Sequence, residues 1–261
     1  MRAIWSGSIS FGLVNIPVKL FLAVTENRLN FDMLHEKDLS PIRFARVCKS
    51  EDKEVPYDQI VKGYEYEKGH FVVLSDEDFE KANIRLTKTI SILNFVLAEE
   101  IEPIYFEKPY YLEPDKGAEK PYRLLFQALG KSKKVAVGKY VLRNREHLAV
   151  IRSDTKNDII ILEHIRYEEE IKDTTDLVRP EVSTNQEELD LALSLIDKLT
   201  KKFNPSDYHD TYMNELKRII AEKVAGKVPS VKGSVPAPTK VPDLMAMLRQ
   251  SLEDEKKKVR G

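Results

Sequence analysis

Short apolar-alternating segments crowd the first 165 residues. Arg2 to Phe11 places Ile4 and Ile9 in apolar runs broken by Ser-Gly-Ser, and Val14 to Pro17 and Val18 to Val24 continue in pieces rich in Val, Ile and Phe. Phe31 to Leu34, Ile42 to Val47, Phe71 to Leu74, Ile90 to Leu97 and Asp158 to His164 extend the series, and Lys133 to Leu142 with Glu146 to Arg152 reads as a hairpin turning at Arg143-Asn144-Arg145. Strands this short and this closely spaced predict a β-barrel or closed sheet, not alternating βαβ units. Only two helices interrupt them. Ser75-Asp76-Glu77-Asp78 is a capping-box variant opening a helix to about Asn83, and Pro121 to Ser132 carries Pro at its start and Gly130 near its end.

Past Pro180 the period changes. Leu189, Leu193, Ile196, Leu199 and Phe203 recur at helical spacing over residues 187–203, and Asn204-Pro205-Ser206 stops them. Ser206 or Asp207 is then placed to cap a second helix marked by Tyr212, Leu216, Ile219, Ile220 and Val224, ending before Gly226. Both stripes suit packing within the chain or against a partner. Residues 227–242 hold four prolines and read as an extended linker. Asp243 to Leu252 then predicts a short amphipathic helix with Leu244, Met247, Leu248 and Leu252 on one side. It has no core of its own and either frays or docks into a partner. A basic run, Lys256, Lys257, Lys258 and Arg260, follows.

The charge total conceals its distribution. Lys and Arg number 42 against 43 Asp and Glu, a net of -1. Yet residues 51–119 and 157–215 are each at -9, residues 120–156 at +8 and residues 216–261 at +6. The basic stretch, with Lys131, Lys133, Lys134, Lys139, Arg143 and Arg145, suits either a phosphate-contacting surface or a solvated charged face. The hairpin carrying it either reaches out from the barrel or lies within the main sheet.

Other chemistry finds little footing. The motifs GxxxxGK[ST], GxGxxG, HExxH and GxSxG are absent. Asp76 with Asp78, and Glu168-Glu169-Glu170, lack a ligand spacing that would set them apart from a helix start or an acidic turn. Cys48 is the sole cysteine and the five histidines are scattered, which argues against a zinc site. No apolar run reaches membrane-spanning length and no signal-peptide pattern opens the chain, so the expectation is cytoplasmic, with no membrane partner.

Several words resemble those of bacterial Ku proteins, the DNA-end-binding factors of non-homologous end joining. They are residues 2–18 (RAIWSGSISFGLVNIPV), 61–66 (VKGYEY), 103–112 (PIYFEKPYYL), 142–148 (LRNREHL) and 208–212 (YHDTY). Where many relatives carry C-x-x-C, Glu51 stands in place of the second cysteine, which puts any zinc or paired-thiol role of that loop in doubt. The resemblance implies a mixed β+α fold: a Ku-type β-barrel core over 1–183 with a DNA-encircling basic bridge at about 115–156, a helical arm over 184–226, and a linker, helix and basic tail over 227–261. It further implies a non-enzymatic, cofactor-free homodimeric ring that binds double-stranded DNA ends and recruits ATP-dependent DNA ligase D. Lys131, Lys133, Lys134, Lys139, Arg143 and Arg145 would line the ring, with Arg43 and Arg46 as weaker candidates and Lys256, Lys257 and Lys258 as further contacts. Leu193, Ile196, Tyr212, Leu216 and Ile220 would serve dimerisation, and Leu244, Met247, Leu248 and Leu252 would engage the ligase. Without the resemblance, the same features describe an oligomeric β-barrel module binding protein or RNA, or more weakly a metal-dependent nuclease.

Overall fold

The computed structural model describes residues 1–82, 88–143, 145–227 and 249. Nine strands and four α-helices are formed among them: β1 (Trp5–Phe11), β2 (Val14–Leu22), β3 (Lys62–Glu67), β4 (His70–Leu74), α1 (Asp76–Ala82), β5 (Thr89–Leu97), β6 (Phe106–Pro114), α2 (Glu119–Ser132), β7 (Lys134–Leu142), β8 (Arg145–Asp154), β9 (Ile159–Ile165), α3 (Gln186–Leu199) and α4 (Thr211–Val224). Seven strands close a barrel in the order β1-β2-β6-β9-β8-β7-β5, while β3 and β4 form a separate two-stranded sheet. Every barrel pairing is antiparallel except the closing one, where β1 meets β5 in parallel.

Alternation explains the barrel. Ile9, Ile16, Val18, Leu20, Ile90, Leu112, Tyr140, Ile151, Ile160 and Leu162 all point inward and are fully buried. Helix α2 supplies the rest of the core. Its Tyr122, Leu125, Phe126 and Leu129 join the barrel interior, and the Tyr122 hydroxyl donates to the Leu112 carbonyl at 2.6 Å while accepting from the Ile160 amide at 2.8 Å. Helix α2 thus stoppers the end of the barrel where the β6–β9 ladder stops. Gly138 is required where β7 passes the irregular register of β5, since a Cβ there would lie 2.7 Å from the Ser91 carbonyl oxygen.

Some strands are not where the sequence puts them. Phe31 to Leu34 and Ile42 to Val47 form no strand; each contributes one isolated bridge, Leu34 with Pro41 and Val47 with Glu54. Strands β3 and β6 form without having been expected. The hairpin of β7 and β8 lies in the barrel wall and does not project from it, because β7 pairs with β5 as well as β8, and β8 with β9 as well as β7. The expected bridge at 115–156 is thereby part of the barrel. What leaves the barrel is the long connection between β2 and β5, residues 23–88.

The chain divides into two units, Met1–Thr174 and Thr175–Gly261. In the second, α3 is capped by Asn185, whose side chain accepts from the Glu187 amide, and α4 by Asp210, which accepts from Met213 at 2.9 Å. Helix α4 therefore starts after Asp210, not at Ser206 or Asp207, because Asn204 to Asp207 is used in a separate single turn. No helix among the described residues is long and apolar enough to cross a membrane.

Candidate nucleic-acid interface

The barrel has two unlike ends. Leu142 pairs with Arg145, so the β7–β8 hairpin turns beside Arg143 in a tight loop. The registers bring this loop to the same end as the start of β5, through Ser91 with Lys139, and the end of β2, through Leu22 with Tyr110. The insertion 23–88 consequently leaves and re-enters beside Arg143. Its return is fixed by the Lys88 carbonyl, which accepts from the Ser8 amide at 2.9 Å.

Arg143 sits in the left-handed region with φ 53. Tight hairpin loops favour positive φ and normally place Gly, Asn or Asp there, so an arginine at this point stands against the local backbone preference. Arg143 is exposed and makes no ion pair among the described residues. Arg145, also exposed, donates to Glu170 at 3.3 Å. Lys139 donates to Glu146 at 2.9 Å and lies 5.7 Å from the centre of the Tyr167 ring, and the Glu146 carboxylate holds its ammonium pKa above the ordinary value.

Lys131, Lys133 and Lys134 are at the opposite end, at the corner between α2 and β7. They are exposed and free of ion pairs among the described residues, and Lys133 closes the helix with φ 56. Strand β7 has nine residues, so these lysines stand about 30 Å from Arg143 at roughly 3.3 Å per strand residue. The six basic residues close in sequence are therefore two patches, not one. Arg152 belongs to neither, since its guanidinium makes both contacts, at 3.1 and 2.7 Å, with Glu163 on β9.

The insertion carries the other candidates. None of its described residues is buried; Phe44 and Tyr57, for example, are 78% and 76% exposed. Arg43 contacts Glu54 at 3.4 Å, and Arg46 lies 5.0 Å above the Tyr57 ring. Cys48 is a free thiol whose pKa is lowered by hydrogen bonding to Ser50. Among the carboxylates weighed as metal ligands, Asp78 accepts from the Ser75 amide and hydroxyl, and Glu170 from Tyr167 and Arg145. Among the described residues no group of three His, Cys, Asp or Glu side chains is gathered as a metal site would need.

Behind Arg145, His147 Nδ1 and His164 Nε2 are 2.9 Å apart on β8 and β9. Burial lowers both pKa values, so this is a neutral pair in which one ring donates to the other. Tyr140 packs against both rings, and its buried hydroxyl has no partner among the described residues.

Of the dimerisation residues, Leu193, Ile196 and Tyr212 are 50%, 59% and 71% exposed, Ile220 is exposed and Leu216 half-buried. Leu244, Met247, Leu248, Leu252, Lys256, Lys257 and Lys258 lie outside the described residues. Arg2 was missed as a candidate. It lies beside Arg143 only because β1 and β7 meet the same end of the barrel, and nothing in its local sequence marks it.

The described residues thus define a closed seven-stranded β-barrel with α2 at one end and, at the other, a long exposed insertion beside Arg2 and Arg143, neither of which makes an ion pair among the described residues. The model of the Ku70/Ku80 beta-barrel domain matches residues 10–191. The chain is 42% identical to the non-homologous end joining protein Ku of Opitutus terrae over 97% of its own length and 91% of that protein. It is 40% identical to the Symbiobacterium thermophilum protein of the same name, over 97% of this chain and 63% of that one, and 37% identical to that of Bacillus subtilis, over 97% and 82%. The chain belongs to the Ku family.

Proposed function

We propose that this chain binds double-stranded DNA ends without reading sequence, as a homodimeric, non-catalytic scaffold for end joining. The observation that carries this is the insertion 23–88. None of its described residues is buried, large apolar side chains such as Phe31, Phe44, Tyr57, Tyr64 and Phe71 stand exposed on it, and it is rooted at the barrel end bearing Arg2, Arg143 and Arg145. A second copy's insertion closing a ring, with a duplex inside, covers both. Phosphate contacts hold such a duplex in place and carry no base information, which suits guanidinium and ammonium groups scattered over two patches and an insertion. The acidic remainder of the chain repels DNA and confines it to the basic faces.

Helices α3 and α4 supply the dimer contact in this reading, through Leu193, Ile196, Tyr212, Leu216 and Ile220. The tail beyond 242 recruits ligase D through Leu244, Met247, Leu248 and Leu252, and its lysines add DNA contacts. The test compares a linear duplex with a covalently closed circle of the same sequence. Strong binding to the first and poor binding to the second is expected; equal binding would sink the threading ring. Deleting residues 243–261 should leave end binding in place and weaken stimulation of the ligase.

A further inference from the structure

The inward-facing rows of the barrel change character toward the Arg143 end. On β8 they run Ile151, Ala149, His147, and on β9 Ile160, Leu162, His164. Where the apolar rows stop, the two imidazoles meet, with ring centres 4.3 Å apart and His147 Nδ1 2.9 Å from His164 Nε2. Tyr140 on β7, the register partner of His147, packs on both rings, and Trp5 on β1 packs on Tyr140. The Leu142 carbonyl, one residue before Arg143, is placed to accept from the His147 ring. A proton added to His147 therefore has two acceptors at hand, His164 and Leu142.

Charged side chains surround this pair. Arg145 is the next inward position on β8, Lys108 on β6 is the register partner of His164, Glu107 stands in the bulge beside Lys108, and Arg166 and Glu170 follow β9. Arg145 donates to Glu170 at 3.3 Å, and Arg166 to the carbonyls of Ile104 and Phe106. The phenols of Tyr110 and Tyr140, raised by burial, stay neutral. Three cations thus face the pair against two carboxylates. Burial keeps both rings neutral in the free chain, and the guanidinium groups of Arg145 and Arg166 add to it. An anion brought to this end of the barrel cancels the excess positive charge and leaves the rings easier to protonate.

We propose that the His147–His164 pair takes up a proton when DNA phosphate binds at Arg143 and Arg145, so that end binding is proton-linked and tightens as the pH falls. The inference rests on the DNA-end reading above and adds to it a titratable group that bound phosphates control without touching it. The coupling is reciprocal: whatever factor DNA adds to the proton affinity of the pair, the proton adds to the affinity for DNA.

The experiment measures binding of a linear duplex to the full chain at constant ionic strength, at about pH 7.5 and about pH 5.5. Affinity should rise about threefold between them, the factor for a shift of about half a pKa unit. The double variant His147→Gln with His164→Gln should match the unaltered chain at the higher pH and lose most of the rise, while His35, His70 and His209 remain to report their own share. In the unaltered chain, which needs no variant to fold, the ring-proton resonances of His147 and His164 should titrate at higher pH with duplex bound than without. Titration midpoints that DNA leaves unmoved, or a pH dependence that survives in the double variant, overturn the linkage. Linear duplex bound no better than a closed circle at either pH marks instead the failure of the end-binding reading itself.

Discussion

At the scale of the residue, whether a positive charge already has a partner decides more than where it falls in the sequence. Arg143 has none among the described residues and is held in a backbone conformation that glycine adopts without strain. Arg143→Gly should therefore leave the unfolding midpoint unchanged or raised, while weakening end binding about tenfold and reducing the salt slope by about one phosphate contact. Arg145→Gln should cost less, because Glu170 already holds that guanidinium; titrations over a range of salt concentrations check both. The histidine pair predicts a pH dependence. His147 and His164 have folded pKa values below the ordinary 6.5 because burial opposes their charge. The unfolded chain then binds more protons, so the stability is complete above about pH 6.5 and is lost as the pH falls towards the folded values. Urea midpoints at about pH 7.5 and about pH 5.5 should differ in that sense, and the double variant His147→Gln with His164→Gln should flatten the difference.

At the scale of the element, the barrel end closed by α2 concentrates the stability. Tyr122→Phe leaves the Leu112 carbonyl and the Ile160 amide without their partner in a buried site and should cost about 2 kcal/mol. Burial also raises the pKa of its phenol to about 12. Leu125→Ala should cost about 2–5 kcal/mol through the cavity it leaves; denaturant titration reads both. Helix α2 and the β7–β8 hairpin were legible in the sequence because alternation along the strands and Pro121 before the helical apolar run state them locally. Strand β6 was not, since Pro109, Pro114 and three charged residues, Glu107, Lys108 and Glu113, break its pattern and only its neighbours β2 and β9 hold it straight. Phe31 to Leu34 and Ile42 to Val47 show the converse: strand-like residues with no adjacent strand to pair with. Two features of the candidate site were hidden for the same reason. The separation of Lys131, Lys133 and Lys134 from Arg143, and the approach of Arg2 to it, are products of barrel closure, which linear spacing does not express.

At the scale of the molecule, the near-neutral total charge is compatible with a DNA partner because the sign alternates along the chain. The arm gives the clearest whole-molecule prediction. On the proposed dimer reading, Leu193→Glu with Ile196→Glu should give a folded monomer by sedimentation where the unaltered chain sediments as a dimer, and should abolish tight end binding; a variant that remains dimeric would place the contact elsewhere. The closed barrel has a further consequence for how copies can meet. Its strands have no free edge, so it cannot lengthen its sheet by accepting a strand from another molecule. The β3–β4 sheet has two strands and hence two open edges, carried on the same exposed insertion. Protection from indiscriminate strand addition falls there on the charged and turn residues Lys62, Glu65, Glu67, Lys68 and Gly69. Replacing those charges by apolar residues should make the chain self-associate through the insertion long before it weakens the barrel.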